Sequence, residues 1–349
     1  MFTPLTASDY APAIKGKTGE LSALAGLAED GQASHVVPII ELPPPGDRGE
    51  RAADRVEYFG KVGERIGPVA GRLNGYFLDG RLVTDTLDAE SARALVSHLP
   101  EDLLPTVVFS SSVPPEGDLF ADVGSDGAAV RLRDEDFDGA VDRLVRATAE
   151  RAGGSHRLDI ILDLGTVSPD ELRREARAVR SLVSDIPLLD EARSFVLLGG
   201  AYPQPLSLDS GQRGRFPRAD WILYNAVRGS LPRLPTFGDY GVTGREIPEM
   251  KNPRVAPKLV YTTGESWYVG KESKQKGSPE TYGRIRKIAA DVVALPDYRG
   301  KEFSPGDLRI WEYANPEWTE NDTTGNATEW IQVAFSHHAR LVQEQLSSA

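Results

Sequence analysis

A chain of 349 residues with 40% apolar and 26% charged content can bury a large core, and its length fits one big α/β barrel or two ordinary domains. The formal charge of −12 argues against a nonspecific nucleic-acid coat, which rests on Lys and Arg neutralising phosphates, but leaves room for a local basic pocket. The absence of cysteine excludes disulfides, thiolate zinc sites and thiol nucleophiles.

The opening MFTPLTASDY lacks the basic start and apolar core of a signal peptide, and no run of about 18 apolar residues reads as a membrane span. A cytoplasmic protein is expected. From there the chain alternates strand with helix. YAPAIKGK reads as a strand, and TGELSALAGLAED follows as a helix, with Leu21, Leu24, Ala25 and Ala28 at helical spacing behind a threonine suited to N-capping. HVVPIIEL, bounded by PPPGDRG, precedes an amphipathic stretch around residues 50–67, and GYFLDGRLV precedes DAESARALVSHL. LPTVVFSSS, then GAAVRLR with DFDGAVDRLVRATAERA, LDIILDLG with SPDELRREARAVRSLVSDI, and SFVLLGG with ADWILYNAVRGSL continue the pattern. TFGDYGV supplies an eighth strand. Eight such units select a TIM-like (β/α)8 barrel over an open doubly wound sheet.

The barrel is expected to occupy residues 1–250. Residues 251–349 are expected to form a C-terminal extension packed on or capping it. In that extension PKLVYTTGESWYVGKES reads as a β-hairpin turning at TGE, and SPETYGRIRKIAADVVAL and TEWIQVAFSHHARLVQEQL read as helices. The stretch from about 299 to 326, rich in Gly, Pro, Asn, Asp and Thr, reads as a long loop that could reach over the barrel mouth.

Charged residues recur where the strands end: Lys15 and Lys17, Glu41, Asp79, Arg131 and Arg133, Asp163, and Asp239. The carboxyl ends of parallel barrel strands meet at one face, so these scattered residues are expected to converge on one site. Period-two geometry supports this, with Ala11, Ala13, Lys15 and Lys17 on one side of the first strand and Val37, Ile39 and Glu41 on one side of the second. Lys15 and Lys17 would offer two ammonium groups to an anion, and Arg131 and Arg133 planar forks, although the same charges could simply pair with the nearby acids. Glu41, Asp163 and Asp239, with Asp79 beside them, could instead gather Mg2+, which takes oxygen ligands and bridges carboxylates to phosphate. His337, as a ligand-binding residue, and His338, as an acid–base residue, are candidates for the site, but helix neighbours point about 100° apart, so one of the two is expected to pack or cap while the other looks toward the mouth. Tyr261, Trp267 and Tyr268 on the hairpin could stack on a base or sugar, or simply pack.

The run Tyr10-Ala-Pro12-Ala-Ile14-Lys15-Gly-Lys17-Thr-Gly19-Glu20, the phrase Phe237-Gly238-Asp239-Tyr240-Gly241, and the ending Gly325-Asn326-Ala-Thr328-Glu-Trp330 with Ser336-His337-His338 resemble the beta protein family, named after a bacteriophage T4 protein. The resemblance spans nearly the whole chain. It implies the fold and a set of site positions, Arg218 among them, and a role in phage biology or antiviral defence, without implying a reaction. The chain departs from the family pattern at Ala201-Tyr202-Pro203, where Ser-Phe-Pro is usual, and at Arg218-Ala219-Asp220, where a glutamate is usual.

No G-x-G-x-x-G, P-loop or G-x-S-x-G motif is present, which argues against a dinucleotide fold, a P-loop NTPase and a serine hydrolase. The expected function is binding of an anionic, phosphate-bearing ligand, a small molecule or nucleic acid, at the strand-end face. A metal-dependent phosphoester hydrolase is the enzymatic form of that expectation, and a noncatalytic accessory barrel for a protein or nucleic-acid partner is its rival.

Overall fold

The computed structural model describes residues 3–46, 52–115, 125–246, 256–272, 280–315 and 324–348, and the single positions 117, 123 and 317. The expected boundary at 250/251 and the PPPGDRG breaker's last residues lie outside the described residues. Strands β1 (Ala13–Ile14), β2 (Ile39–Glu41), β3 (Phe77–Asp79), β4 (Thr106–Phe109), β5 (Ala128–Leu132), β6 (Leu158–Thr166) and β7 (Ser194–Gly200) pair in sequence order. After β8 (Arg213–Pro217), which lies outside this sheet, β9 (Thr236–Asp239) pairs with β7, and every pairing is parallel. The sheet turns back on itself, since Tyr10 bridges Phe237 and the Ala11 N–H donates to the Phe237 carbonyl at 2.9 Å. Helices α1 (Thr18–Glu29), α2 (Ala52–Ala70), α3 (Ala89–Val96), α4 (Val141–Ala152), α5 (Leu172–Ser184) and α6 (Ala219–Val227) surround it. This is the expected TIM-like α/β barrel.

Alternation along each strand builds two apolar layers. One set, including Ala13, Ile39, Phe77, Ala129, Ile161 and Leu198, fills the barrel. The other, including Ile14, Ile40, Leu78, Val130, Leu162 and Phe237, packs outward on helix residues such as Leu24, Phe59, Val145 and Leu223. Helix α4 shows how an element stops: Gly153 adopts φ +86°, where a side chain would be strained, and its N–H returns to the Glu150 carbonyl at 3.0 Å. At the barrel's amino end the inward Asp159 is neutralised by Arg193, with Nε–Oδ1 at 3.1 Å and Nη2–Oδ2 at 2.5 Å.

The extension contains the expected hairpin, β10 (Lys258–Thr262) and β11 (Ser266–Lys271), and the expected helices α7 (Glu280–Val293) and α9 (Ala327–Ser347). Two features depart from expectation. The hairpin gains a third strand, because β8 pairs antiparallel with β11, placing Phe216 opposite Trp267. The anticipated loop of 299–326 contains a helix, α8 (Pro305–Ala314). Its start is built by Ser304, whose Oγ accepts from the Asp307 N–H at 3.1 Å, and by Pro305, whose missing N–H is harmless in a first turn. Ile310 and Tyr313 bury its inner face against Ile285, Ile288 and Val333.

Replacing Ser304 with Ala removes this cap and leaves the Asp307 amide without its acceptor. Urea denaturation is expected to show a loss of about 1–2 kcal/mol, and an unchanged midpoint would contradict this account of α8.

Candidate functional site

Where the inward apolar column of the barrel ends, the next inward residues are charged. Ala13 gives way to Lys15, Ile39 to Glu41, Phe77 to Asp79, Ala129 to Arg131 and Ile161 to Asp163, two positions on in each strand. The structure therefore gathers these five side chains into one buried network at the carboxyl end of the barrel, as expected.

Arg131 lies at its centre and is 1% exposed. Its Nη1 donates to Glu41 Oε1 at 2.9 Å and Asp79 Oδ2 at 2.5 Å, its Nε to Asp163 Oδ2 at 3.1 Å, and its Nη2 to the Tyr240 hydroxyl at 2.7 Å. Tyr240 donates in turn to Asp163 Oδ1 at 2.8 Å. Lys15 pairs with Glu41 Oε2 and also donates to the Arg245 carbonyl at 2.6 Å. Arg81 pairs with Glu41 Oε1, and Arg133 Nε donates to Asp163 Oδ2 at 3.1 Å.

The charges act on one another through a dry environment. Burial alone would raise Glu41, but Arg131, Lys15 and Arg81 outweigh it and hold the carboxyl down to about 2. Asp163 is likewise held well below the carboxylate range, with Arg131 and Arg133 overcoming burial. Burial lowers Lys15 despite Glu41, and raises both the Tyr240 phenol and the neighbouring Glu20. Glu20 accepts from the Lys15 amide at 2.9 Å and from Thr243 Oγ1 at 2.8 Å.

Other anticipated members stand elsewhere. Gly16, at φ +59°, breaks the alternation after Lys15, and Lys17 lies exposed at the start of α1, in the N-cap position anticipated for Thr18. Asp239 does not join the network: in Gly238-Asp239-Tyr240 the inward residues are Gly238 and Tyr240, so Asp239 points outward with Phe237. There it accepts from the Tyr10 hydroxyl at 2.5 Å and the Gly241 N–H at 2.9 Å, and it lies 2.9 Å from His338 Nε2. Burial lowers His338 despite Asp239, and its Nδ1 sits 3.0 Å from Thr262 Oγ1.

As helix geometry demands, His337 faces another way, toward Asp307 at 2.8 Å and the Thr262 carbonyl at 2.8 Å, with Tyr261 stacked on it at 3.9 Å. Tyr261 and Trp267 are fully buried, the latter against Tyr202, which leaves them no open face for stacking on a ligand. Arg218, also buried, donates from Nη1 to the Thr263 and Gly264 carbonyls and to Gln345 Oε1 at 2.8 Å. These residues fasten the extension to the outside of the barrel.

The network does not suit Mg2+. Glu41 and Asp163 already accept from Arg131, Arg81, Lys15, Arg133, Tyr240 and the Gly165 N–H, so a cation would meet guanidinium groups instead of free lone pairs. Among the described residues no group of three or more His, Asp or Glu is placed to hold a metal. An open cleft of about 360 Å3 lies between α1, α8 and α9, and none of the network residues lines it. Arg81, Tyr240, Glu20 and Arg245 were not anticipated as site residues. The first two carried a readable signal, since each continues the inward parity of its strand.

Fold and site together define a TIM-like barrel whose strand-end face is closed by a buried network of arginine, lysine and acids. A family model described as Beta protein matches residues 10–343, and the chain belongs to that family. No curated protein matches it.

Arg131→Met would leave three buried carboxylates short of their shared cation. A loss of about 3–5 kcal/mol is expected in urea denaturation, against no more than about 0.5 kcal/mol for Lys17→Met, and equal effects would refute the distinction. Glu41 titrates lower in the fold than its ordinary 4.5, so the unfolded chain binds more protons between 4.5 and about 2. Its stabilisation is therefore complete above pH 4.5 and lost as pH falls toward 2. Glu41→Gln should show a shallower acid decline of stability than the wild type, and parallel pH profiles would contradict this.

Proposed function

We propose that the strand-end face binds an anionic, phosphate-bearing ligand, and that the protein acts by recognition. One observation carries this reading. Arg133 reaches the mouth partly exposed, yet its Nη2 is buried without a hydrogen-bond partner among the described residues. A guanidinium donor left in that state loses its hydration with nothing in return, and an oxyanion is the chemistry that satisfies it. Lys15, Arg81, Arg131 and Arg133 are four cations against the three network carboxylates Glu41, Asp79 and Asp163, which leaves one formal positive charge in surplus.

Binding is favoured over metal-dependent phosphoester hydrolysis because the acids that such chemistry would use are already engaged by side-chain cations. A small phosphate-bearing molecule or a nucleic-acid strand end fits the proposal, and the family resemblance supports a setting in phage biology or antiviral defence. A cytoplasmic location belongs to the same proposal. Among the described residues no helix is long and apolar enough to cross a membrane.

Isothermal titration calorimetry with inorganic phosphate, a nucleoside monophosphate and a short single-stranded oligonucleotide tests this. At least one probe should bind, more weakly as salt rises, and Arg133→Gln should reduce affinity about ten-fold or more. Absence of binding by all three, or an Arg133→Gln protein that binds as well as wild type, would defeat the reading. Turnover of phosphoesters that requires Mg2+ would defeat the preference for recognition.

A further inference from the structure

The turn after β9 is laid across the barrel mouth and pinned there. Lys15 Nζ donates to the Arg245 carbonyl at 2.6 Å, Thr243 Oγ1 donates to Glu20, and Gln204 brackets the turn, donating to the Thr243 carbonyl at 2.6 Å and accepting from the Glu246 N–H at 3.0 Å. The backbone is shaped for this route: Gly241 and Gly244 both have positive φ, and a Cβ on Gly244 would lie 2.4 Å from the Gln204 side chain. Such pinning fixes the backbone of Arg245. Its half-buried side chain then extends over the end of β6, where the ladder shifts register between Asp163 and Thr166.

Gly165 occupies that irregularity at φ +66°, and a Cβ built on it would sit 2.9 Å from Arg245 Nη1. The guanidinium thus rests where only glycine leaves room. Among the described residues no hydrogen bond or ion pair engages it. Arg133 reaches the same strand end from β5, holding Asp163 Oδ2 at 3.1 Å, while Asp163 Oδ1 accepts from the Gly165 N–H at 3.0 Å. Asp163 is so fully engaged that it repels an incoming anion less than a free carboxylate would.

We propose that Arg245 and Arg133 form a two-guanidinium clamp at the end of β6 for the terminal phosphate of a phosphate monoester. This rests on the reading of the mouth as an anion site and assigns its ligand class. One planar fork matches the two coplanar oxygens of a carboxylate. Two forks carried by different elements match a tetrahedral group with three free oxygens and a double negative charge. A phosphodiester, with two free oxygens and one charge, fills only half of such a clamp.

The test is calorimetric titration of wild type, Arg245→Gln and Arg245→Lys with methyl phosphate, inorganic phosphate, dimethyl phosphate and acetate. Methyl phosphate and inorganic phosphate should bind comparably, with dimethyl phosphate and acetate at least about ten-fold weaker. Arg245→Gln should weaken methyl phosphate about ten-fold without lowering the thermal midpoint, and Arg245→Lys should recover part of the loss. Unchanged affinity in Arg245→Gln would overturn the clamp. Dimethyl phosphate binding as tightly as methyl phosphate would overturn the monoester assignment while the anion site stands. Failure of all four probes to bind wild type would overturn both. Should Arg245→Gln melt early, the Arg245→Lys comparison decides the role of the fork, and affinity equal to wild type in that variant counts against it.

Discussion

A guanidinium buried on the axis of a barrel must be neutralised where it stands, and Arg131 imposes that condition on most of the strand-end face. Its donors reach Glu41 on β2, Asp79 on β3, Asp163 on β6 and Tyr240 after β9. Each partner is tied further, Glu41 to Lys15 and Arg81, Asp163 to Arg133 and the Gly165 amide. Strands far apart in sequence thereby share one set of charges. Buried pairs of this kind contribute little net stability compared with apolar packing, but losing one member is expensive, so the network constrains geometry more than it adds energy. The apolar column beneath it, from Ala13 to Leu198, supplies the burial that holds the barrel together.

The same constraint explains why the face suits a ligand. Arginines locked by carboxylates keep their orientation, and a donor left over in a locked arrangement is already aimed before anything binds. Arg133, held by Asp163, keeps such a donor in its unpartnered Nη2, and the Arg245 guanidinium, on a backbone pinned by Lys15, makes no hydrogen bond among the described residues. The paired histidines of α9, by contrast, belong to the outer seam. His337 and His338 are both fully buried and join α9 to the hairpin and to the barrel wall through Asp307, Thr262, Asp239 and Tyr10. Their role is to seat the extension, with Arg218 fastening the hairpin turn to α9 through Gln345.

Much of this was legible in the sequence, for a physical reason. All eight barrel strands announced themselves by apolar runs, six of them ending in charge, and the parity of Lys15 with Ala13 and of Glu41 with Ile39 located the network. Parity also decides the position that strand-end charge alone misplaces. Asp239 ends its strand as Glu41 does, but Gly238 and Tyr240 hold the inward places, so the acid belongs to the seam. Lys17 was lost to a left-handed glycine, which no alternation pattern reveals. β8, reading Arg-Gly-Arg-Phe-Pro, has neither alternation nor β-branched residues, and it exists because β11 offers it an edge. α8 was hidden by Pro305 and Gly306 at its start, which suit a first helical turn as well as a loop. Arg245 gave no local signal, since only the pinned turn carries it over β6.

The central claim is that the barrel's charged strand-end face is an anion site built on the Arg131 network. The most direct measurement is an anomalous difference map from crystals soaked in tungstate, a heavy tetrahedral oxyanion that stands in for phosphate. The account predicts a peak at the end of β6 within hydrogen-bond reach of Arg133, with Arg131 still holding Glu41, Asp79 and Asp163. A map with no peak at the strand ends, or with tungstate bound only elsewhere on the molecule, would contradict it.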